Sequence, residues 1–212
     1  MTHEVLNQVP PIEGTLLDPV LRDALRREGA EWAEPRVQKL GEFLGRPEVR
    51  DLGFRANENP PSLRTHDATG HRIDEVEFHP AWHELMRISV ENAVHNLPWA
   101  EPQPGAHVAR AALSYLISEN ETGHLCPISM TYSCVPALRK EPGVAAEWEK
   151  RITNEYDPRS LPAERKRGIL VGMAMTEKQG GSDVRANTTR AVPVDGGYLL
   201  TGHKWFCSAP MC

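Results

Sequence analysis

The hydrophobic pattern of this 212-residue chain changes its period well before the C-terminal end, and that change limits the folds it can adopt. In the first 150 residues, apolar residues recur every three or four positions, which is the spacing of a buried helix face. Beyond the basic link 163–167, apolar residues come in short runs of strand length. The sequence therefore predicts an α+β chain, with a helical domain over residues 1–160 and the start of a β domain over residues 161–212. We place the boundary between residues 155 and 168.

The helical part is divided by prolines, glycines and capping residues, which mark where helices begin and end. The predicted helices begin at Asp18-Pro19, Pro35 and Pro80, and others run from about Gly105 to Glu121, from Pro127 to Leu138 and over Val144–Arg151. A hairpin over Leu63–Phe78, turning at Asp67–Gly70, is expected to interrupt them.

Three segments after the boundary have the length and composition of strands: Gly168–Met175, Val184–Val194 and Tyr198–Phe206. The last two meet at Asp195-Gly196-Gly197, which is a strong hairpin turn signal. The sequence then ends at Cys212 with no closing strand. Because a small sheet with open edges is marginally stable, we expect a fragment of a larger β domain rather than a sheet completed by another polypeptide.

Hydropathy excludes an integral membrane protein, and charge argues against nucleic-acid binding by this stretch without forbidding a basic domain elsewhere. The chain has 24 Lys and Arg against 29 Asp and Glu, a net charge of −5, so this stretch is a poor candidate for binding nucleic acid. No apolar run approaches the roughly 18 residues of a membrane-spanning helix. The N-terminal Met1–Glu4 lacks the basic and apolar regions of a secretory signal, which makes a cytoplasmic location the expectation.

Cysteine and histidine residues give no clear metal-binding pattern. The four cysteines form no Cys-x-x-Cys pair, and we interpret them as reduced thiols. His79 and His83 have the spacing of a helical ligand pair, but Pro80 between them places His79 before the helix begins. Without a third ligand we interpret both histidines as caps or hydrogen-bonded core residues.

The loop Met175–Val184 is the first candidate binding element. Its adjacent glycines, Gly180 and Gly181, allow a flat or phosphorylated ligand to approach the backbone, and Thr176 and Ser182 add hydroxyl groups. The dinucleotide and phosphate-loop signatures are both missing. Taken alone, the loop is explained equally well as a glycine turn between strands.

The second candidate element is Gly202–Ser208, which ends in two aromatic residues and a serine. An aromatic ring can flank a planar cofactor, and the Ser208 hydroxyl can bond a ring nitrogen. Strand alternation would put Trp205 and Cys207 on one face, and Phe206 and Ser208 on the other. We expect Trp205 to be buried in a barrel core.

Together these elements resemble the acyl-CoA dehydrogenase superfamily, which has a Thr-Glu-x-x-x-Gly-Ser-Asp loop followed by a Gly-x-Lys-x-aromatic-x-Thr/Ser strand. The form of the loop here is most similar to the AidB-like branch, which is linked to the response to DNA alkylation. Earlier segments resemble the same branch, namely Asn59-Pro60-Pro61, Phe78–His83, Val94–Leu97 and Leu125–Thr131. The resemblance covers nearly the whole chain.

This resemblance implies FAD as cofactor, in a fold whose helical N-terminal domain is followed by a middle β-barrel domain, truncated here, and a C-terminal helical domain. Thr176 and Ser182 would contact the flavin, Phe206 takes the place of a flavin-flanking Trp, and Ser208 that of a Thr that bonds a flavin nitrogen. The implied cofactor-binding set is Met173, Ala174, Met175, Thr176, Glu177, Lys178, Gln179, Gly180, Gly181, Ser182, Phe206, Cys207 and Ser208.

The resemblance also implies a reaction, in which a carboxylate removes the proton alpha to a thioester carbonyl of an acyl-CoA while the flavin accepts a hydride. That carboxylate belongs to the C-terminal domain, so no catalytic residue is assigned here, and Glu177 is expected to serve the cofactor loop. An alternative stays open: a flavoprotein that protects DNA through the absent domain and has little dehydrogenase activity. Family members form homotetramers, so a homo-oligomer is expected of the full-length protein.

Overall fold

The computed structural model describes residues 18–212, so Met1–Glu4 lies outside the described residues. The helices are α1 (Pro19–Arg27), α2 (Glu34–Leu44), α3 (Pro47–Glu58), α4 (Pro80–Glu91), α5 (Leu97–Ala100), α6 (Ala106–Asn120), α7 (Leu125–Leu138) and α8 (Pro142–Trp148). The strands are β1 (Ser62–His66), β2 (Arg72–Glu77), β3 (Arg190–Val194) and β4 (Gly197–Thr201). Within residues 18–212, no helix is long and apolar enough to cross a membrane.

Proline and polar caps fix the beginnings of the helices, as the sequence predicts. The Asp18 carboxylate accepts a hydrogen bond from the Val20 amide at 2.7 Å, and Pro19 needs no partner in this first turn. His79 caps α4 in the same way, because its Nδ1 accepts from the Ala81 amide at 3.1 Å. The prediction that His79 precedes its helix is therefore confirmed.

The core lies between α1, α2, α4, α6 and α7. Its largest fully buried side chains are Leu25, Leu44, Met86, Leu97, Leu113, Leu116, Ile117 and Ile128. Burial of each such side chain is worth about 1.5–3 kcal/mol. The helical part therefore holds an extensive apolar core of its own.

Helices α3, α5 and α7 differ from the predicted pattern, and the short α5 was not predicted. Helix α3, over Pro47–Glu58, was not predicted, because its apolar positions are interrupted by charged residues and by Gly53. Gly53 packs closely against the end of α6, where an added Cβ would lie 2.8 Å from the Asn120 carbonyl oxygen. Helix α7 begins at Leu125 instead of Pro127. Pro127 is tolerated in the first turn because the amides of that turn have no partner within the helix.

The hairpin β1–β2 forms as predicted. Its strands are antiparallel, with Leu63 opposite Val76, and the register shifts between Arg64 and His66. The turn at 67–70 ends in Gly70, whose φ of 87° is in the left-handed region that glycine adopts without strain.

The predicted strand over Gly168–Met175 is wrong. The segment is irregular and pairs with no strand among residues 18–212, and its first residues contact the helical part instead. The Ile169 amide donates to the Arg151 carbonyl at 3.1 Å, and the Val171 amide donates to Thr131 Oγ1 at 2.9 Å. An apolar run of strand length therefore does not form a strand when no partner strand is available to pair with it.

The hairpin β3–β4 forms with its turn at the predicted Gly196, but both strands are shorter than predicted. Val184–Ala186 is a short 3₁₀ turn, because the Asp183 carboxylate accepts from the Arg185 amide and bends the chain. Residues 202–206 are outside β4, so the expected alternation of faces does not arise there. The expected burial of Trp205 is also wrong, since 46% of its surface is exposed.

Candidate functional site

The two segments singled out from the sequence lie side by side in the structure. The Trp205 amide donates to the Thr176 carbonyl oxygen at 2.8 Å. Lys204 Nζ donates to the Met175 carbonyl oxygen at 3.1 Å, and Asn187 Nδ2 donates to the same oxygen at 2.7 Å. The glycine loop and the aromatic segment therefore form one continuous surface, although they are far apart in sequence.

A buried carboxylate holds this junction together. Glu177 is 2% exposed and accepts hydrogen bonds from the Thr188 amide at 2.7 Å, the Thr189 amide at 3.0 Å and Lys204 Nζ at 2.9 Å. Gln179 Nε2 also donates to it, at 2.6 Å. Hydrogen bonds from Thr188, Thr189 and Lys204 hold the pKa of Glu177 well below its usual range, so the carboxylate stays ionised at neutral pH.

The glycines of the junction allow close packing within the protein. A Cβ on Gly180 would lie 2.0 Å from Asn187 Oδ1, and one on Gly202 would lie 2.2 Å from Thr189 Oγ1. At Gly181 the nearest neighbour would be Thr176 Cγ2 at 3.5 Å, an ordinary contact. Gly180 and Gly202 are thus required by the packing of the loop against the hairpin, whereas Gly181 leaves an open approach.

The outer surface of the junction is rich in exposed apolar side chains. Met173, Met175 and Phe206 are exposed, Phe206 by 79%. Ser182 and Ser208, from the same two segments, are also exposed. Phe206 adopts a φ of 57°, an uncommon conformation for a large side chain, and such strain is concentrated at functional sites. The junction therefore leaves both apolar and hydroxyl side chains exposed.

The remaining predicted site residues have different surroundings. The side chain of Gln179 points inward to Glu177, while Lys178 Nζ lies 6.0 Å from the centre of the Trp205 ring. Ala174 and Cys207 are exposed, and the four cysteines of the chain are free thiols. No pattern in the sequence indicates that the Glu177 side chain is buried, because neighbouring loop residues can point to either side.

A separate cavity of about 820 Å³ lies between the β1–β2 hairpin, the start of α4, the segment 155–170 and Pro210–Cys212. The stacked rings of Phe78 and Trp82, with centroids 3.9 Å apart, line it together with His83 and Tyr156. His83 Nδ1 and Tyr156 Oη are hydrogen bonded at 2.7 Å. Burial lowers the pKa of His83 and raises that of Tyr156. Sequence analysis missed Tyr156, which sits in an irregular segment with no recognisable pattern.

A second polar cluster has the arrangement of a hydrolase triad. Ser89 Oγ lies 2.7 Å from His124 Nε2, and His124 Nδ1 lies 2.6 Å from Glu121 Oε2. All three residues are buried in the helical core, so no substrate can reach the serine. The cluster instead ties α4 to the connection between α6 and α7. Among residues 18–212, no group of three or more His, Cys, Asp or Glu side chains is placed to hold a metal ion.

Comparison with known proteins matches this chain to one family and to relatives along nearly its whole length. The family described as "Adaptive response protein AidB N-terminal domain" matches residues 7–158. The AidB protein of Escherichia coli (strain K12) is 48% identical over 216 residues, which include 99% of this chain and 40% of that protein. Acyl-CoA dehydrogenase family member 11 of Caenorhabditis elegans is 32% identical over 200 residues, covering 91% of this chain and 32% of the relative.

A solved structure shares the fold of most of this chain. The crystal structure of Caenorhabditis elegans ACDH-11 in complex with C11-CoA superposes with a TM-score of 0.67 at 29% sequence identity. The match covers 91% of this chain and 34% of that chain. The chain thus spans well under half the length of the relatives it matches.

Proposed function

Because this chain belongs to the AidB N-terminal domain family, among the acyl-CoA dehydrogenases, we propose that it helps to bind FAD in a flavoprotein that oxidises acyl-CoA thioesters. The observation that carries the proposal is the joining of the two family motifs, through the bond from the Trp205 amide to the Thr176 carbonyl oxygen. Had these motifs been apart, their residues could not contact one cofactor.

The exposed side chains of the junction are suited to hold the flavin. Phe206 offers a flat apolar face, and the hydroxyl groups of Thr176, Ser182 and Ser208 can donate to ring and phosphate oxygens or ring nitrogens. Backbone groups of residues 173–179 would line the edge of the ring. When bound, FAD supplies the acceptor for the two electrons and the hydrogen that leave the acyl group.

The proposed substrate class is an acyl-CoA thioester, supported by the C11-CoA bound in the Caenorhabditis elegans structure. We assign no general base to the loop, because the family resemblance places that carboxylate in the C-terminal domain and Glu177 is buried among its own donors. Glu177 accepts from the Thr188 and Thr189 amides, and Asp183 accepts from the Arg185 amide at 3.1 Å. The role of the loop residues is to bind and orient.

The test uses the intact gene product that contains this chain. FAD content and the FAD dissociation constant are measured for the wild type, Phe206→Ala and Ser208→Ala, together with turnover of a panel of straight and branched acyl-CoA thioesters. Phe54→Ala is the matched control, since Phe54 is equally exposed but lies on α3.

We expect the wild type to purify with FAD and to oxidise at least one thioester. Phe206→Ala and Ser208→Ala should each weaken FAD binding about tenfold, by the loss of a stacking face or a hydrogen bond, while Phe54→Ala should not. A wild type that binds no FAD would overturn the proposal. FAD binding without thioester turnover, combined with retention of duplex DNA, would favour the DNA-protecting alternative instead.

A further inference from the structure

The charge pair of Glu177 and Lys204 lies beneath the candidate site, with Glu177 buried and Lys204 partly buried. We propose that these two are positioning residues, which together hold the glycine loop and the aromatic segment in the arrangement that receives a planar cofactor. The proposal deepens the function proposed above, and its cofactor measurements rest on that function. A second measurement, made on the cofactor-free protein, is independent of that function.

The hydrogen bonds of Glu177 require an ionised carboxylate. Oε1 accepts from the Thr189 amide and from Lys204 Nζ, and Oε2 accepts from the Thr188 amide and from Gln179 Nε2. The Thr188 hydroxyl also donates to Oε2, at 3.3 Å, so five donors converge on the two oxygens. An amide in place of the carboxylate would present an NH₂ group to one set of these donors, so Gln cannot reproduce the arrangement.

Lys204 extends this network to the aromatic segment. Its Nζ bonds both Glu177 and the Met175 carbonyl oxygen, at 2.9 and 3.1 Å. The next residue, Trp205, donates its amide to Thr176, and the following residue is Phe206. A displacement of Lys204 is thus passed directly to the residues that would flank the ring.

Apolar packing offers little to replace these bonds. Met173, Met175, Trp205 and Phe206 are all exposed, so burial of their side chains does not fix the junction. Hydrogen bonds to charged groups are about twice as strong as neutral ones, and removal of one partner of a buried ion pair leaves the other charge uncompensated. The junction should therefore lose its order when either residue is neutralised.

The first experiment compares Glu177→Gln, Lys204→Met and the double variant in the intact gene product. The FAD dissociation constant is measured by flavin fluorescence, and hydrogen exchange of the Thr188 and Thr189 amides is measured without FAD. Glu164→Gln and Lys150→Met are matched controls, because both side chains are exposed and lie outside the junction.

Glu177→Gln is expected to weaken FAD binding by about tenfold and Lys204→Met by about fivefold. The double variant should bind FAD no more weakly than the worse single variant, because the two residues share one interaction. Exchange of both amides should accelerate by at least about tenfold in Glu177→Gln. The controls should stay within twofold of the wild type in both measurements, as expected of surface substitutions.

A second set of variants distinguishes positioning from general stability. Lys204→Arg keeps the charge and should recover most of the affinity. The exchanged pair, Glu177→Lys with Lys204→Glu, should recover none, because the Thr188 and Thr189 amides would then face an ammonium group. The absorption band of any flavin still bound to Glu177→Gln should lose its resolved shoulders, since the ring is less firmly held. Helix content measured by circular dichroism should stay unchanged.

The proposal is overturned if Glu177→Gln binds FAD within twofold of the wild type, or if the exchanged pair restores binding. If the wild type binds no FAD, the proposed function fails, and the amide exchange still decides the role of Glu177 in the loop: unchanged exchange in Glu177→Gln contradicts it. Should Glu177→Gln not fold, the Lys204→Met and Lys204→Arg pair provides the same comparison.

Discussion

The helical part and the β part of this chain are held together by different forces. Residues 18–152 enclose an extensive apolar core, in which many large side chains are fully buried. Of residues 168–212, only Gly168, Ile169, Glu177 and Gly180 are buried. The first part can therefore be ordered by the hydrophobic effect, whereas the second depends on hydrogen bonds and leaves apolar side chains available for a ligand or another part of a protein.

Each part contains a buried carboxylate that gathers several donors, but the surroundings differ. Glu121 accepts from His124 inside the apolar core, whereas Glu177 lies behind an exposed surface. Loss of the first should lower the stability of the whole helical part. Loss of the second should disturb a local junction and leave the helices intact.

The largest effect is expected from a cavity in the helical core. Leu116→Ala removes a fully buried side chain of α6 and should lower the free energy of unfolding by about 2–5 kcal/mol. The measurement is denaturant unfolding followed by circular dichroism. A loss below about 1 kcal/mol would contradict the description of this core as closely packed.

The next largest effect is a pH dependence of the free energy of unfolding, which we expect His95 to cause. Burial lowers the pKa of His95 to about 4, with a further contribution from Arg110 and opposition from the bond to the Thr153 carbonyl. The unfolded chain therefore binds a proton that the folded chain does not, and the free energy of unfolding falls as the pH decreases from about 6.5 to 4, by up to about 3 kcal/mol. His95→Gln should flatten this slope, and the exposed His203→Gln should not. Equal slopes for wild type and His95→Gln would contradict this assignment.

A smaller effect is expected at Glu121. Burial alone would raise its pKa, but hydrogen bonds from His124 and Gly123 outweigh it and lower the pKa to about 2. Its stabilising contribution is thus complete above about pH 4.5 and is lost as the pH falls towards 2. At neutral pH, Glu121→Gln should cost about 1–3 kcal/mol in denaturant unfolding, while Glu48→Gln, at the exposed first turn of α3, should cost less than about 1 kcal/mol. A cost equal to that of Glu48→Gln would remove the proposed difference between the two carboxylates.

The smallest effect is expected in the β part. Leu200 on β4 is 71% exposed, so Leu200→Ala should change the free energy of unfolding by less than about 0.5 kcal/mol. Together with Leu116→Ala it provides a matched pair, since the same substitution is made in both parts. A cost as large as that of Leu116→Ala would show that the β part has an apolar core after all.

Local signals in the sequence predicted most of the helical part. Asp18-Pro19, Pro80 and the apolar spacing of α6 each mark a helix that the structure contains. Helix α3 was missed because charged residues and Gly53 hide its period. The domain boundary between 155 and 168 stays a prediction.

The β part was predicted less well, because strands depend on partners that are distant in sequence. The apolar run at 168–175 has the composition of a strand but pairs with none. The two motifs of the candidate site were found from their residue types, and the structure shows them in contact. The inward orientation of Glu177 was not predictable, since it depends on donors 11 to 27 residues further along the chain.

The most direct test is a crystal structure of the intact gene product with FAD. We predict that the isoalloxazine ring lies against Phe206, with the Thr176 and Ser208 hydroxyl groups within hydrogen-bonding distance of it and Glu177 still bonded to Lys204. A ring bound elsewhere, such as in the cavity beside Trp82, would contradict the account.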